Sequence, residues 1–404
     1  MSRSPISGIT NRRVTIALYA LAVFLFWAAQ YIFLPTLPTY AQSKVGDLST
    51  VGFILSMYGL WQALVRIPIG VASDWLGMRK WFMIGGLALA GVGALIMAAS
   101  NDALGLAIGR AVTGVSAGAW VVIVVAFSAL FPPEEAVRAS SLLMIFNSLG
   151  RIIATSVAGS LTDLGGYTLP FVIAAVLGFL SALILLPVHE VRRPSVSPSF
   201  PNIMRVLLRR DVLSPSLLNA VSQYALWTSA FGFFTVLAKQ LGATSVLQGA
   251  LITLHITLAM VGSFLTSWRR LRITAQQWVY AGFALLAAGI AVAALAPSLT
   301  ILFIAPVFTG LGMGIVYPVL MGMSIVRVDD NERTIAMGLH QAIYALGMFS
   351  GPAIGGALAD AIGLQPMFGI TASITIVLGI GGMYVSEILS ARAQSQPRVI
   401  VAKE

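Results

Sequence analysis

The sequence predicts an all-α membrane protein of twelve transmembrane helices, arranged as two pseudo-symmetric six-helix bundles. Three observations predict it. Of the 404 residues, 58% are hydrophobic and 9% charged, whereas a soluble domain carries about 25% charged residues because its water-facing surface needs them. Apolar runs of about 20 residues, enough to cross about 30 Å of hydrocarbon as a helix, recur along the chain. Finally, the basic residues gather in alternate connections between those runs.

The first run, from Val14, follows Arg12 and Arg13 and has no convincing small-residue cleavage site, so it reads as a retained span over 14–36. The next five spans fall at 49–73, 80–99, 103–129, 138–162 and 167–187. After a polar interruption come 214–239, 245–268, 275–296, 299–325, 333–360 and 365–388. With the N-terminus inside, the inner connections and tails hold 19 of the 24 Lys and Arg residues. The outer side holds only Lys44 and Lys239, and Arg66, Arg110 and Arg151 fall within spans. That asymmetry is what the positive-inside rule demands, so both termini are expected on the cytoplasmic face of an inner membrane. It also explains the net charge of +10 without nucleic acid.

Four segments follow. Residues 1–187 make an N-terminal six-helix bundle, 188–213 a cytoplasmic linker rich in Arg, Pro and Ser, 214–388 a C-terminal bundle, and 389–404 a cytoplasmic tail. The halves repeat at an offset of 197: Gly150 matches Gly347, Gly159 matches Gly356, Asp163 matches Asp360 and Gly166 matches Gly363. Parallel halves related by an axis along the membrane normal enclose a cavity near the midplane.

The connection after the second span reads Gly70-Val-Ala-Ser-Asp74-Trp-Leu-Gly77-Met78-Arg79-Lys80. It resembles the signature loop of the major facilitator superfamily, with Met78 in place of the first basic residue. Gly70 is expected to allow close helix packing and Gly77 a tight turn. Asp74 can meet the positive N-terminal end of a neighbouring helix; the resemblance makes that neighbour the eleventh span, starting near Arg333. Arg110, with Gly114 and Gly118 four and eight residues on, is similar to the fourth-span motif of the same family. Gly347, Gly351, Pro352, Gly355 and Gly356 match a glycine–proline pattern that exporters of the family carry in the fifth span. Here it stands in the eleventh, where helix packing is as good an explanation as coupling.

No acidic residue lies mid-span, which argues against a cationic-drug pump built on a buried carboxylate. The ionisable groups left inside are Arg66, Arg110, Arg151, His255 and His340. Such groups are costly in hydrocarbon and should face the interior, as coupling groups, substrate contacts or structural pairs. His340 is the stronger candidate proton carrier, because an imidazole titrates near neutral pH. Inward-facing aromatic and amide positions are Trp27, Gln30 and Tyr31 on the first span, then Tyr58, Trp61 and Gln62 on the second. Trp120, Asn147, Asn219, Gln223 and Trp227 extend the set, and Tyr317 and Tyr344 complete it. Rings with few polar groups suit an amphiphilic organic solute.

With no cysteine, no buried acid and three scattered histidines, no enzyme constellation, metal site or cofactor site is expected. The absence of a phosphate-binding lysine loop argues against an ATP-driven pump. The resemblance implies a monomeric secondary transporter working by alternating access, with efflux of an amphiphilic or anionic small molecule driven by protons. An importer or facilitator of sugars, peptides or organic acids is the alternative on the same fold.

Overall fold

The structure, a computed structural model, describes residues 11–132, 135–189, 204–206, 208–268, 272–329 and 332–395. The first half contains α1 (Arg12–Tyr31), α2 (Leu37–Val45), α3 (Leu48–Trp75), α4 (Arg79–Ala99), α5 (Ala103–Gly118), α6 (Trp120–Ser128), α7 (Ala136–Gly165) and α8 (Thr168–Leu185). The second contains α9 (Arg210–Thr228), α10 (Phe234–Gln240), α11 (Ser245–Ser267), α12 (Ala275–Leu295), α13 (Leu299–Leu302), α14 (Ala305–Met323), α15 (Arg333–Ile362), α16 (Leu364–Ile374) and α17 (Gly382–Ser395).

Local chemistry sets these boundaries. Asn11, Asp102, Thr244 and Thr274 cap their helices by accepting a backbone N–H two or three residues on, which satisfies donors that a helix start leaves free. Gly77 adopts φ +62°, so the tight turn expected between the second and third spans is present. Gly166 and Gly363, the repeat partners, take φ +65° and +89° at the ends of α7 and α15. Only glycine enters that region without steric cost. The two halves therefore share a backbone feature as well as a sequence spacing.

Among the described residues, eleven helical stretches are long and apolar enough to cross a bilayer. The expected seventh span is helical too, as α9, a π-helical turn at Ser229–Phe233, and α10. It is more polar than the others. Its Ser216, Asn219, Ser222, Gln223, Thr228 and Ser229 are buried against protein, which is how a polar helix is accommodated among apolar ones.

Within the first half α1 packs on α7 and α8, α4 on α5 and α8, and α3 on α5. Within the second, α9 packs on α15, α14 on α11 and α12, and α12 on α16. Two extensive pairings cross between halves, α3 with α15 and α7 with α11. Both are backbone-close. A Cβ on Gly356 would strike the Leu48 carbonyl and lie 3.0 Å from the Gly52 Cα, and one on Gly159 would strike Ser245.

Three expectations are corrected. Gly70 is not a packing glycine, because a Cβ there would meet nothing within 4 Å among the described residues. Trp61 is 40% exposed; it stands one residue off the buried Tyr58–Gln62–Arg66 stripe and points outward. Helix α17 continues to Ser395, past the expected start of the tail at 389. The linker lies mostly outside the described residues, as does the tail beyond 395 and the Asp74 side chain.

Candidate functional site

Helix α3 supplies one stripe of the site. Tyr58, Gln62 and Arg66 stand four residues apart, on one face over about 12 Å of helix, and all three are buried. The Arg66 Nη1 donates to the Tyr344 hydroxyl at 2.8 Å and to the Gln341 carbonyl at 3.4 Å. Its guanidinium also lies 5.4 Å from the Tyr344 ring centre. Both contacts reach α15, in the other half of the chain.

Two further arginines are held over rings by close helix contacts. Gly114 brings α5 against the backbone of Tyr58, with the Tyr58 Cα 3.0 Å from where a glycine Cβ would be. One turn earlier, Arg110 then lies 4.5 Å from the Tyr58 ring centre. Gly150 brings α7 against the Phe24 carbonyl of α1, and the next residue, Arg151, lies 4.3 Å from the Tyr31 ring centre. Small residues thus decide where the cations sit. A guanidinium over an aromatic face gains about 0.5–1 kcal/mol when exposed and about 2 or more when desolvated.

Rings join these cations. Tyr58 stacks on Trp227 at 5.1 Å between centroids, Trp227 meets Phe231 at 5.3 Å, and Phe231 meets Tyr31 at 5.7 Å. The chain of four rings runs from Arg110 to Arg151, with Tyr58 and Tyr31 from the first half at its ends and Trp227 and Phe231 from the second between them. Trp27 meets Tyr31 and Trp120, at 5.9 Å and 5.3 Å. At the other end Tyr344 contacts Tyr317 at 5.7 Å and His340 at 5.9 Å.

Both candidate histidines are engaged. His340 Nδ1 lies 3.0 Å from Ser216 Oγ, and Nε2 lies 2.8 Å from Asn219 Nδ2. Ser222 Oγ donates to Asn219 Oδ1, which directs the amide NH2 toward the ring. Nε2 is then an acceptor, and the network is satisfied by a neutral ring with its proton on Nδ1. His255 Nδ1 lies 3.0 Å from Thr309 Oγ1, with its ring edge against Phe231 at 5.5 Å.

Gln30 behaves as a tie between helices, donating to the Thr113 carbonyl at 3.2 Å and to Ser116 Oγ at 3.4 Å. Asn147 and Gln223 are buried. The glycines of α15 pack on α9: a Cβ on Gly347 would strike the Ala220 carbonyl, and one on Gly351 would come within 2.7 Å of the Tyr224 carbonyl. Gly355 faces Thr228, and the Pro352 carbonyl meets Gly52 across the halves. In the signature loop, Arg79 opens α4 and Lys80 Nζ donates to the Leu186 carbonyl at 2.6 Å.

Sequence reasoning missed Phe231, Gln341 and the polar ties at one end of the molecule. There Thr39 Oγ1 donates to Gln248 Oε1 at 3.0 Å and Thr253 Oγ1 to Thr155 Oγ1 at 2.9 Å. Both Asp360 oxygens accept from the start of α3, from Leu48 N and Ser49 N at 2.7 Å each. The repeat could have flagged Asp360, but nothing in the sequence says which helix start it reaches.

The profile of the Major Facilitator Superfamily matches residues 19–236 and again 216–398. An uncharacterised MFS-type transporter of Methanocaldococcus jannaschii is 25% identical over 89% of this chain and 96% of its own length. The multidrug resistance protein MdtH of Aeromonas hydrophila is 26% identical over 78% of this chain and 80% of its own. Among solved structures, the inward-facing, unoccupied bacterial homolog of the human lysosomal transporter Spinster superposes with a TM-score of 0.77. That match has 16% identity and covers 95% of this chain and 99% of the other.

Proposed function

Because the chain belongs to the Major Facilitator Superfamily, a family of transport proteins rather than enzymes, we propose that it moves a small amphiphilic or anionic organic solute by alternating access. The observation that carries the reading is the buried cluster of rings and guanidiniums between residues of the two halves, from Arg110 through Trp227 to Arg151 and on to Arg66 with Tyr344. A site shared by both halves changes its exposure when one half tilts on the other.

In this reading the run 214–239 is the seventh of twelve crossings, the chain works as a monomer in the cytoplasmic membrane with both termini inside, and the Gly70–Lys80 loop is part of the inner gate. Efflux driven by protons is the favoured direction, supported by the likeness to MdtH; import of sugars, peptides or organic acids is the alternative. His340 and His255 are the candidate proton carriers, although the bonded state of His340 favours a structural role in this conformation. The test is solute flux in proteoliposomes with an imposed pH difference. Flux that follows the gradient supports coupled transport. Flux indifferent to it leaves a facilitator, and saturable counterflow separates either from a channel.

A further inference from the structure

Three guanidiniums stand within the ring cluster, and among the described residues none is neutralised. Arg110 is 1% exposed and Arg66 2% exposed, with Arg151 partly buried. Among the described residues no carboxylate pairs with any of them. Nor are they fully satisfied as donors: among the described residues Arg110 Nε and Nη2, Arg66 Nε and Arg151 Nε have no hydrogen-bond partner. Gln62 Oε1, Gln341 Oε1 and Trp27 Nε1 are buried without partners in the same region.

Desolvating a charge is costly unless it is paired, and each unmet donor adds to that cost. Aromatic faces return only part of that. A protein that tolerates this arrangement keeps the cations for something that arrives from outside. The complement is an anion, because the unmet groups on the arginines are all donors and all positively charged. A guanidinium fork binds a carboxylate or phosphate edge with two parallel bonds. The rest of the ligand must suit Tyr58, Trp227, Phe231 and Tyr31, which offer flat apolar surface between Arg110 and Arg151.

We infer that the substrate is an organic anion with a flat apolar body, its acidic head held by Arg110 and Arg66 or Arg151 and its body laid against the Tyr58–Trp227–Phe231 rings. This rests on the transport reading and narrows it to one substrate class. It also removes the need for a buried carboxylate, because the charge that balances the arginines travels with the solute. An empty carrier would hold its cations unpaired in a low-dielectric interior and a loaded one would not, so loading lowers the electrostatic cost of the buried site.

The probe is 1-naphthoate, with the neutral 1-naphthamide and the cationic 1-naphthylmethylamine as isosteric controls and dioleoylphosphatidylglycerol as an anionic-lipid arm. Binding to the detergent-purified full chain is read by tryptophan fluorescence and by thermal unfolding. The expected result is saturable stabilisation by naphthoate alone, undisturbed by the lipid. Arg110→Gln should weaken naphthoate by about 30-fold or more, the cost of removing one partner of a buried charge contact. Arg110→Lys, which keeps the charge but not the fork, should lie between. If Arg110→Gln does not fold, Arg151→Gln and Trp227→Leu provide the same comparison on opposite sides of the ligand.

Equal stabilisation by the amide, preference for the amine, or no binding of naphthoate would each overturn the anion assignment, and competition by the lipid at the same site would overturn its assignment to a flat organic solute. None of these touches the transport reading, which stands or falls on gradient-driven flux and counterflow.

Discussion

At the residue scale the largest effects belong to side chains that close a geometry alone. Asp360 places both oxygens on the first N–H groups of α3 from the last turn of α15, so one carboxylate caps a helix more than 300 residues away. Asp360→Asn keeps the shape but loses the charge and one acceptor. It should lower stability by about 1 kcal/mol, the value of an N-cap, read as a fall in the thermal midpoint in detergent; an unchanged midpoint would mean that the cap is idle. Outside the membrane, Arg209 donates to Asp211 at 3.1 Å and 2.8 Å. That hydrogen bond is the main reason the Asp211 carboxyl lies below its ordinary value of 3.8. A lowered carboxyl contributes stability above its unfolded value and loses it as pH falls through the folded one. Unfolding measured below about pH 4 should therefore show an acid-side loss that Asp211→Asn lacks. Residue-level reading of the sequence succeeded where helical spacing governs: Tyr58, Gln62, Arg66 and Tyr344 are inside because they share stripes. It failed for Trp61, one position off such a stripe, and for Phe231, which a π turn re-aims by inserting an extra residue.

At the scale of elements, two glycine motifs that look alike in sequence do different work. Gly347 lies against the Ala220 carbonyl and Gly70 faces open space. Gly347→Ala should force α9 and α15 apart and cost about 1–3 kcal/mol, seen as reduced yield and a lower thermal midpoint, whereas Gly70→Ala should leave both measures of folding unchanged. Equal effects would contradict the packing described here. Element existence was legible because a bilayer demands about 20 apolar residues per crossing; among the described residues eleven helical stretches satisfy length and composition, and the seventh expected span is helical but too polar to do so. What could not be read was where a helix is interrupted. The breaks after Tyr31 and at Ala119, and the π turns at Ser229–Phe233 and Thr375–Gly381, depend on neighbours that pack against them.

At the scale of the molecule, the 197-residue repeat relates the two pairings that cross between halves, since it maps α3 with α15 onto α11 with α7. It could not foretell how closely they approach. The chain has no cysteine, so a thiol pair can be introduced without background. Thr155 and Thr253 hydroxyls lie 2.9 Å apart across the halves, so Thr155→Cys with Thr253→Cys should oxidise to a disulfide that arrests transport until dithiothreitol is added. Turnover that continues in the oxidised protein would show that these helices stay together throughout the cycle.

The contact of α3 with α15 has a mechanical meaning. Gly52 and Gly59 lie against the backbone of Pro352, Met348 and Phe349, and Gly356 against that of Leu48 and Gly52. Interlocked side chains would have to climb over one another before either helix could shift, whereas two bare backbones present nearly smooth cylinders. At these glycines a shift of one helix on the other meets few side chains to unlock, while the Arg66–Tyr344 bond and the Asp360 cap mark where the pair is tied.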